Sequence, residues 1–275
     1  MNTNQVVIVE RKNGVGIITL NRPKKANALN HELKEAITKA LEELGSDTKI
    51  GAILLKGAGK HFCAGQDFND VVLGTDQKDL EECRHVFSYA VTTIFEQIIN
   101  MGTPVIAAIR GMITGEGLPL AISCDLVVAS DNTVFQFPGT NLDGISIGPG
   151  VVAARYMGIK EAMWYLLTGE PILASEAKRL GMVNRVVPDE RLEEEAMAVA
   201  EKVAYKTLRN SVAVKELGKS VFYMALDMER SKAFRYAHQM LAQIFITPPA
   251  IDGAKLFLEG KLTKAQLQLE GLVKE

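Results

Sequence analysis

The chain has 275 residues, 47% of them hydrophobic, enough for a sizeable core in one large α/β domain or two small ones. Its 31 basic and 33 acidic residues nearly cancel, which leaves no basic field for nucleic acid or an anionic membrane. Cys63, Cys83 and Cys124 form no CxxC pair, so neither a disulfide framework nor a zinc cage is indicated and a reducing compartment fits best. The first residues lack an apolar signal core, and no apolar run of about 18 residues follows. A cytoplasmic location is expected, with no metal and neither membrane nor nucleic acid as partner.

In chain order, residues 6–10 and 15–20 read as strands around Lys12-Asn13-Gly14, a hairpin signal. Leu33, Ala36, Ile37, Ala40, Leu41 and Leu44 recur at helical spacing, with Asn30 placed to cap the helix and Gly45 to end it. Residues 52–55, 105–109 and 126–129 are short apolar runs of the buried-strand type, separated by helical stretches. This alternation implies an α/β fold with parallel strands and right-handed crossovers up to about residue 190. Beyond it, residues 190–208, 211–219, 224–246 and 250–259 read as helices, with Pro248-Pro249 separating the last two. The chain divides accordingly into a core, residues 1–190, and a helical region, residues 191–275, whose apolar faces suit subunit contacts.

Two glycine-rich loops could carry chemistry. The first, Lys56-Gly57-Ala58-Gly59-Lys60-His61-Phe62-Cys63-Ala64-Gly65-Gln66-Asp67, is a poor dinucleotide fingerprint: Phe62 takes the place of the third glycine and no helix opens after Gly59. The second, Gly111-Met112-Ile113-Thr114-Gly115-Glu116-Gly117, leads into an apolar helix, and free amides at such a start can hold negative charge on an oxygen. Either loop alone reads equally as a tight turn.

Taken together, several segments resemble the enoyl-CoA hydratase/isomerase family, the crotonases. They are Leu20-Asn21-Arg22-Pro23-Lys24-Lys25-Ala26-Asn27-Ala28-Leu29, Phe62-Cys63-Ala64-Gly65-Gln66-Asp67, Pro104-Val105-Ile106-Ala107-Ala108-Ile109-Arg110-Gly111 and Cys124-Asp125. Leu167-Thr168-Gly169-Glu170, Ala174-Ser175-Glu176-Ala177 and the run from Gly181 to Val187 extend the likeness. The resemblance implies a crotonase-like spiral of ββα units with a helical C-terminal region, assembled as a homotrimer or dimer of trimers. It also implies an acyl-CoA substrate in fatty acid metabolism, coenzyme A entering as part of the thioester and no separate cofactor being needed. In the family two backbone amides bind the thioester oxygen and stabilise an enolate; by position these are the amides of Gln66 and Glu116. The same likeness puts Lys24, Lys25, Ala26, Lys60 and Phe62 at the nucleotide end of coenzyme A. It places Ala64, Gly65, Asp67, Phe68, Thr114, Gly115, Pro119, Pro138, Gly139 and Leu142 around the acyl thioester.

The chain departs from the family where a hydratase has its two glutamates. Those positions hold Pro119 and Gly139, neither of which can move a proton, so two-glutamate hydration is not expected. Isomerisation, decarboxylation or C–C cleavage needs at most one acid/base, and the sole carboxylate of loop 138–150 is Asp143. Asp143-Gly144 reads equally as a turn pair. Glu116 replaces the middle glycine of the family's turn; its side chain is either turned outward or salt-bridged, or takes part in the chemistry. Ser146 could orient water, and Ile147 stands where two other branches place their acid or base. His85, Tyr89 and His61 read as solvated or packed, Cys63 as buried, Asp67 as a helix cap and Asp125 as structural. Lys261 lies beside Gly260, where the family has a lysine that reaches a neighbouring subunit. A non-catalytic acyl-CoA-binding protein is the rival reading.

Overall fold

The computed structural model describes residues 5–71, 79, 81–82 and 90–261. β1 (Val7–Lys12) and β2 (Val15–Leu20) form the expected hairpin; Asn13 and Gly14 both take positive φ, the conformation that a two-residue turn matched to strand twist requires. α1 (His31–Ser46) starts under the Asn30 cap, whose Oδ1 accepts the Leu33 N–H at 3.0 Å. It runs one residue past Gly45, which is helical rather than a stop. β3 (Ala52–Gly57) then leads through the first glycine-rich loop to α2 (Phe68–Val71), and α3 (Ala90–Asn100) precedes β4 (Val105–Ile109).

β5 (Met112–Thr114) runs into α4 (Gly117–Ile122), and β6 (Leu126–Ser130) and β7 (Val134–Gln136) follow. α5 (Ile147–Met157) and α6 (Ile159–Thr168) lead to β8 (Ile172–Leu173), α7 (Ala174–Arg179) and β9 (Arg185–Val187). The large sheet has the order β1-β2-β3-β4-β6-β9, parallel throughout except for the β1–β2 hairpin. A second sheet, β5-β7-β8, stands apart from it; strands of two or three residues are too short to announce themselves by periodicity.

One face of the large sheet packs against α1, α3 and α4 through Leu33, Ile37, Leu41, Ile98, Leu118 and their neighbours. The other face, Val15, Ala52, Leu54, Ile106, Ala108 and Val128, is covered by α8 (Leu192–Arg209). The contact stripe of α8 is Leu192, Ala196, Ala200 and Ala204, one residue per turn, and its small side chains bring the helix close. A Cβ on Gly51 would lie 2.4 Å from the Ala204 carbonyl oxygen. α8 therefore belongs to the packing of the core, although it lies beyond residue 190.

The remaining helices are α9 (Lys219–Leu226), α10 (Arg230–Phe245) and α11 (Pro248–Leu258), preceded by a π-helical segment, Val212–Gly218. The single helix expected over residues 224–246 is broken after Leu226, because Glu229 caps a new start by accepting the Ser231 and Lys232 N–H groups. Pro248 and Pro249 open α11, where a missing N–H costs nothing. No helix among the described residues is long and apolar enough to cross a membrane.

Candidate active site

Three backbone segments converge beside the carboxyl ends of β2, β3 and β4. Segment 22–29 is tied to the first glycine-rich loop by Ala64 N–H to Ala26 O (3.0 Å), Leu29 N–H to Gly65 O (2.7 Å) and Asp67 N–H to Leu29 O (3.1 Å). That loop is tied to the second by a Cys63–Ile113 bridge and by the Thr114 hydroxyl, which donates to Ala64 O at 2.6 Å. Gly65 takes φ +88°, and a Cβ there would lie 2.6 Å from Thr114 O and 3.3 Å from the Glu116 nitrogen. Only glycine permits this approach.

The result is a shelf on which the Gln66 and Glu116 N–H groups have no acceptor among the described residues, while the Ala64, Asp67, Gly115 and Leu118 N–H groups near them are bonded. The Gln66 side-chain amide is buried with both polar atoms unpartnered. An orphaned buried amide is costly unless a ligand or water meets it.

Buried polar groups that the sequence reading did not assign hold the shelf in place. Asn27 is fully buried at positive φ; its Nδ2 donates to the Ala58 and His61 carbonyls and its Oδ1 accepts the Arg22 N–H. The Arg22 guanidinium pairs with Asp67 at 2.9 Å and donates to Ala28 O. Asp67 is thus a tether rather than a free carboxylate. His61 accepts the Met112 N–H at Nδ1, joining the two loops. The positive φ at Asn27 follows from the tight turn after the 3-10 helix Pro23–Lys25, and nothing in the local pattern announces it.

Lys24, Lys25 and Lys60 are exposed on the rim, and Ala26 lies beneath them in left-handed conformation. The Phe62 side chain is wholly buried in the core, which corrects its expected place against the nucleotide: the core, not the rim, takes this ring. Cys63 is equally buried, and burial pushes its thiol up to about 12, far from a thiolate nucleophile. Gly115 lies 4.0 Å, measured from its built Cβ, from Gly65 Cα, and Phe68 is exposed nearby in sequence at the start of α2.

Pro119 is buried in α4. Pro138 and Gly139 begin a 3-10 helix, Gly139–Leu142, which ends at Asp143 in left-handed conformation. A Cβ on Gly139 would meet the Ser146 nitrogen at 2.4 Å and Ile145 backbone at 2.6 Å, so no side chain fits there. The Ser146 hydroxyl oxygen accepts the Gly139 N–H at 3.0 Å and helps to close this loop. Leu142 and Asp143 both lie on the exposed outer side of it. Asp143 is not among the residues that line the cavity beside Glu116. The Ile147 side chain is also exposed.

Glu116 is differently placed. Its side chain lines a cavity of about 1090 Å³, and its Oε1 comes within 3.4 Å of a Cβ built on Gly148. The cavity is walled by Phe95 and Ile99 of α3, Val152 and Tyr156 of α5, and Phe222, Tyr223 and Leu226 of α9. Burial raises the Glu116 carboxyl to about 7 against the opposing pull of Lys34, itself buried in α1. Among the described residues Glu116 makes no ion pair.

Asp125 also faces the cavity, but it is committed: it pairs with Lys219 at 2.8 Å and accepts the Tyr223 hydroxyl and the Val105 N–H. Lys261 pairs with Glu259, both exposed. Cys83, His85 and Tyr89 lie outside the described residues. Among the described residues no group of three or more His, Cys, Asp or Glu side chains forms a metal site.

A mixed sheet wrapped by helices, with two unpaired amides on glycine-shaped loops and one of the two residues lining a cavity, defines an α/β protein of the crotonase fold. The model of the family described as enoyl-CoA hydratase/isomerase matches residues 10–265, and the chain belongs to that family. It is 33% identical to the probable enoyl-CoA hydratase of Rhizobium meliloti (strain 1021), over 92% of this chain and 95% of that one. It is 31% identical to the mitochondrial enoyl-CoA hydratase domain-containing protein 3 of Rattus norvegicus, over 90% and 80%. Among solved structures, an enoyl-CoA hydratase of Mycobacterium smegmatis superposes with a TM-score of 0.86 at 33% identity, covering 93% of this chain and 97% of that one.

Proposed function

We propose that the chain is an enzyme that converts an acyl-CoA thioester through an enolate whose oxygen is held by the Gln66 and Glu116 N–H groups. The observation that carries this reading is the pair of unpartnered amides on loops locked together through Gly65. Donors fixed in advance at the place where charge develops lower the barrier without reorganising. The α C–H electron pair moves into the bond to the carbonyl carbon, the carbonyl π pair moves onto oxygen, and a base takes the proton. Return of the proton to another carbon gives isomerisation; where an α C–C bond breaks instead, its electron pair forms the same enolate, carbon dioxide leaves or an acyl fragment passes to water, and the α-carbon takes up a proton.

Hydration by two glutamates is disfavoured, because Pro119 is apolar and the space at Gly139 is filled by backbone. The exposed ammonium groups of Lys24, Lys25 and Lys60 suit the phosphates of coenzyme A. Within this reading the enzyme is cytoplasmic and serves fatty acid metabolism; assembly as a homotrimer or dimer of trimers fits the exposed Trp164, Phe234, Phe245 and Leu258 on α6, α10 and α11. Sedimentation velocity tests the assembly.

The chemical reading is tested by incubating the protein with saturated and unsaturated acyl-CoA esters in deuterated buffer. Deuterium at the α-carbon, catalysed well above the buffer rate, is expected. Tight binding of the esters with no exchange across the set overturns it in favour of a non-catalytic acyl-CoA-binding protein.

A further inference from the structure

We infer that the Glu116 carboxyl is the group that removes and returns the α-proton, so that one residue supplies both an amide to the thioester oxygen and the base beside it. The inference rests on the enolate reading above. Among the described residues four carboxylates line the cavity, and three are otherwise placed. Asp125 has three partners, Lys219, Tyr223 and the Val105 amide. Asp227 pairs with Arg155 at 2.8 Å on the exposed side, and Glu96 lies on the exposed face of α3. Glu116 alone is joined by its own backbone to an unpaired amide of the shelf.

The α-carbon of a thioester is bonded to the carbonyl carbon, so an oxygen held by the Glu116 N–H sets the α-carbon beside the residue whose side chain enters the cavity. A base must meet its proton within roughly 2.6–3.2 Å, and here the backbone that binds the oxygen also sets the carboxyl. The loop supports the side chain as well: Gly117, next in sequence, packs with its Cα side against Cys63 O, where a Cβ would come to 2.3 Å. The family has glycine where Glu116 stands, so the carboxylate that the chain lacks at residues 119 and 139 is present on the adjacent loop.

Lys34 is the positioning residue for its charge. Among the described residues, the groups that face Glu116 are the Lys34 ammonium from α1 and the buried, neutral Cys63 thiol from the first loop. Across the cavity are Glu96 of α3, Asp125, Arg155 and Tyr156 of α5, Tyr223 of α9, and Asp227 beyond it. Burial raises the carboxyl to about 7 and the nearby cation limits that rise, so the group can both accept and return a proton near neutrality. In the forward step the ionised carboxylate takes the α-hydrogen and becomes the acid, and the enolate charge rests on the oxygen between the two amides. In the return step the carboxylic acid delivers that proton to the substrate and is ionised again. No other reagent is needed.

The test is α-proton exchange in deuterated buffer by wild type, Glu116→Gln and Glu116→Asp, with acyl-CoA affinity measured in parallel. Glu116→Gln keeps the amide and nearly the shape of the side chain. It is expected to lower the exchange rate by about 10²–10⁴-fold while affinity changes little, with Glu116→Asp intermediate. The wild-type rate should rise with pH and level off above an inflection near 7, and Lys34→Met should move that inflection upward. Exchange by Glu116→Gln equal to wild type overturns the inference and leaves the enolate reading standing. Absence of exchange in the wild type overturns both.

Discussion

The shelf formed by residues 62–67 and 112–117 and the loop over residues 138–150 correspond to the two places where a hydratase of this family keeps its machinery, and here they are built on opposite terms. The shelf is buried and cross-bonded, with Phe62, Cys63 and Ile113 in the core and the Thr114 hydroxyl and Asn27 amide saturating its carbonyls. The second loop is exposed from residue 141 to residue 145 and closes on itself through Gly139, Ser146 and Gly144. The backbone of the shelf is fixed by packing, whereas loop 138–150 has no room for a side chain at residue 139.

The largest effect is expected from Gly65→Ala, which attacks the shelf directly. A methyl group at 2.6 Å from Thr114 O, on a residue at φ +88°, must push the two loops apart and separate the Gln66 and Glu116 amides. Loss of one such donor lowers turnover by roughly 10²–10³-fold, and the variant should also melt earlier. Near-normal exchange would show that the two amides do not act as a pair.

Next comes Gly139→Glu, the substitution that restores a family glutamate by sequence alone. Because a Cβ there meets Ser146 and Ile145 backbone, the expected outcome is a destabilised protein with no gain of enoyl-CoA hydration, read by water addition to crotonyl-CoA and by thermal melting. A stable variant with new hydration would mean that loop 138–150 opens readily, and the contrast with the shelf would soften.

A smaller effect concerns pH. Burial raises the folded-state Glu116 carboxyl from 4.5 to about 7, so between these values the native protein binds a proton that the unfolded chain has released. Stability contributed by the neutral form is present below pH 4.5 and is lost as pH rises through 7. Glu116→Gln should therefore match wild type at pH 4 and exceed it at pH 8 by about 2 kcal/mol, a partial share of the full shift because the residue is only partly buried. Denaturant midpoints at the two pH values measure it, and equal midpoints at pH 8 would mean that the carboxyl is solvated.

How much of this was legible in sequence follows the same division. The Asn13-Gly14 turn, the Asn30 cap and the apolar runs of β3, β4 and β6 depend on neighbours in sequence, and they stand in the structure where the pattern places them. The shelf was legible through the run from Phe62 to Asp67, because Gly65 is a backbone requirement that leaves its mark on the residue type. The crowding at Gly139, the burial of Lys34 and the inward course of the Glu116 side chain were not. Each depends on residues distant in sequence: Ser146 across its loop for Gly139, and α1 against the second glycine-rich loop for the other two. The break after Leu226 lies between these cases, since Glu229 is a plausible cap that becomes visible only once Ser231 is seen to donate to it.

The smallest effect separates the two regions most sharply. Asp143 is the only carboxylate of loop 138–150, yet it is exposed, takes φ +56° at the end of a 3-10 helix and does not line the cavity. Asparagine tolerates the left-handed conformation as well as aspartate does. Asp143→Asn should therefore leave the α-proton exchange rate within about twofold and stability within roughly 0.5 kcal/mol. Exchange lost in Asp143→Asn but kept in Glu116→Gln would reverse the assignment, requiring loop 138–150 to fold inward over bound substrate and carry Asp143 to the α-carbon.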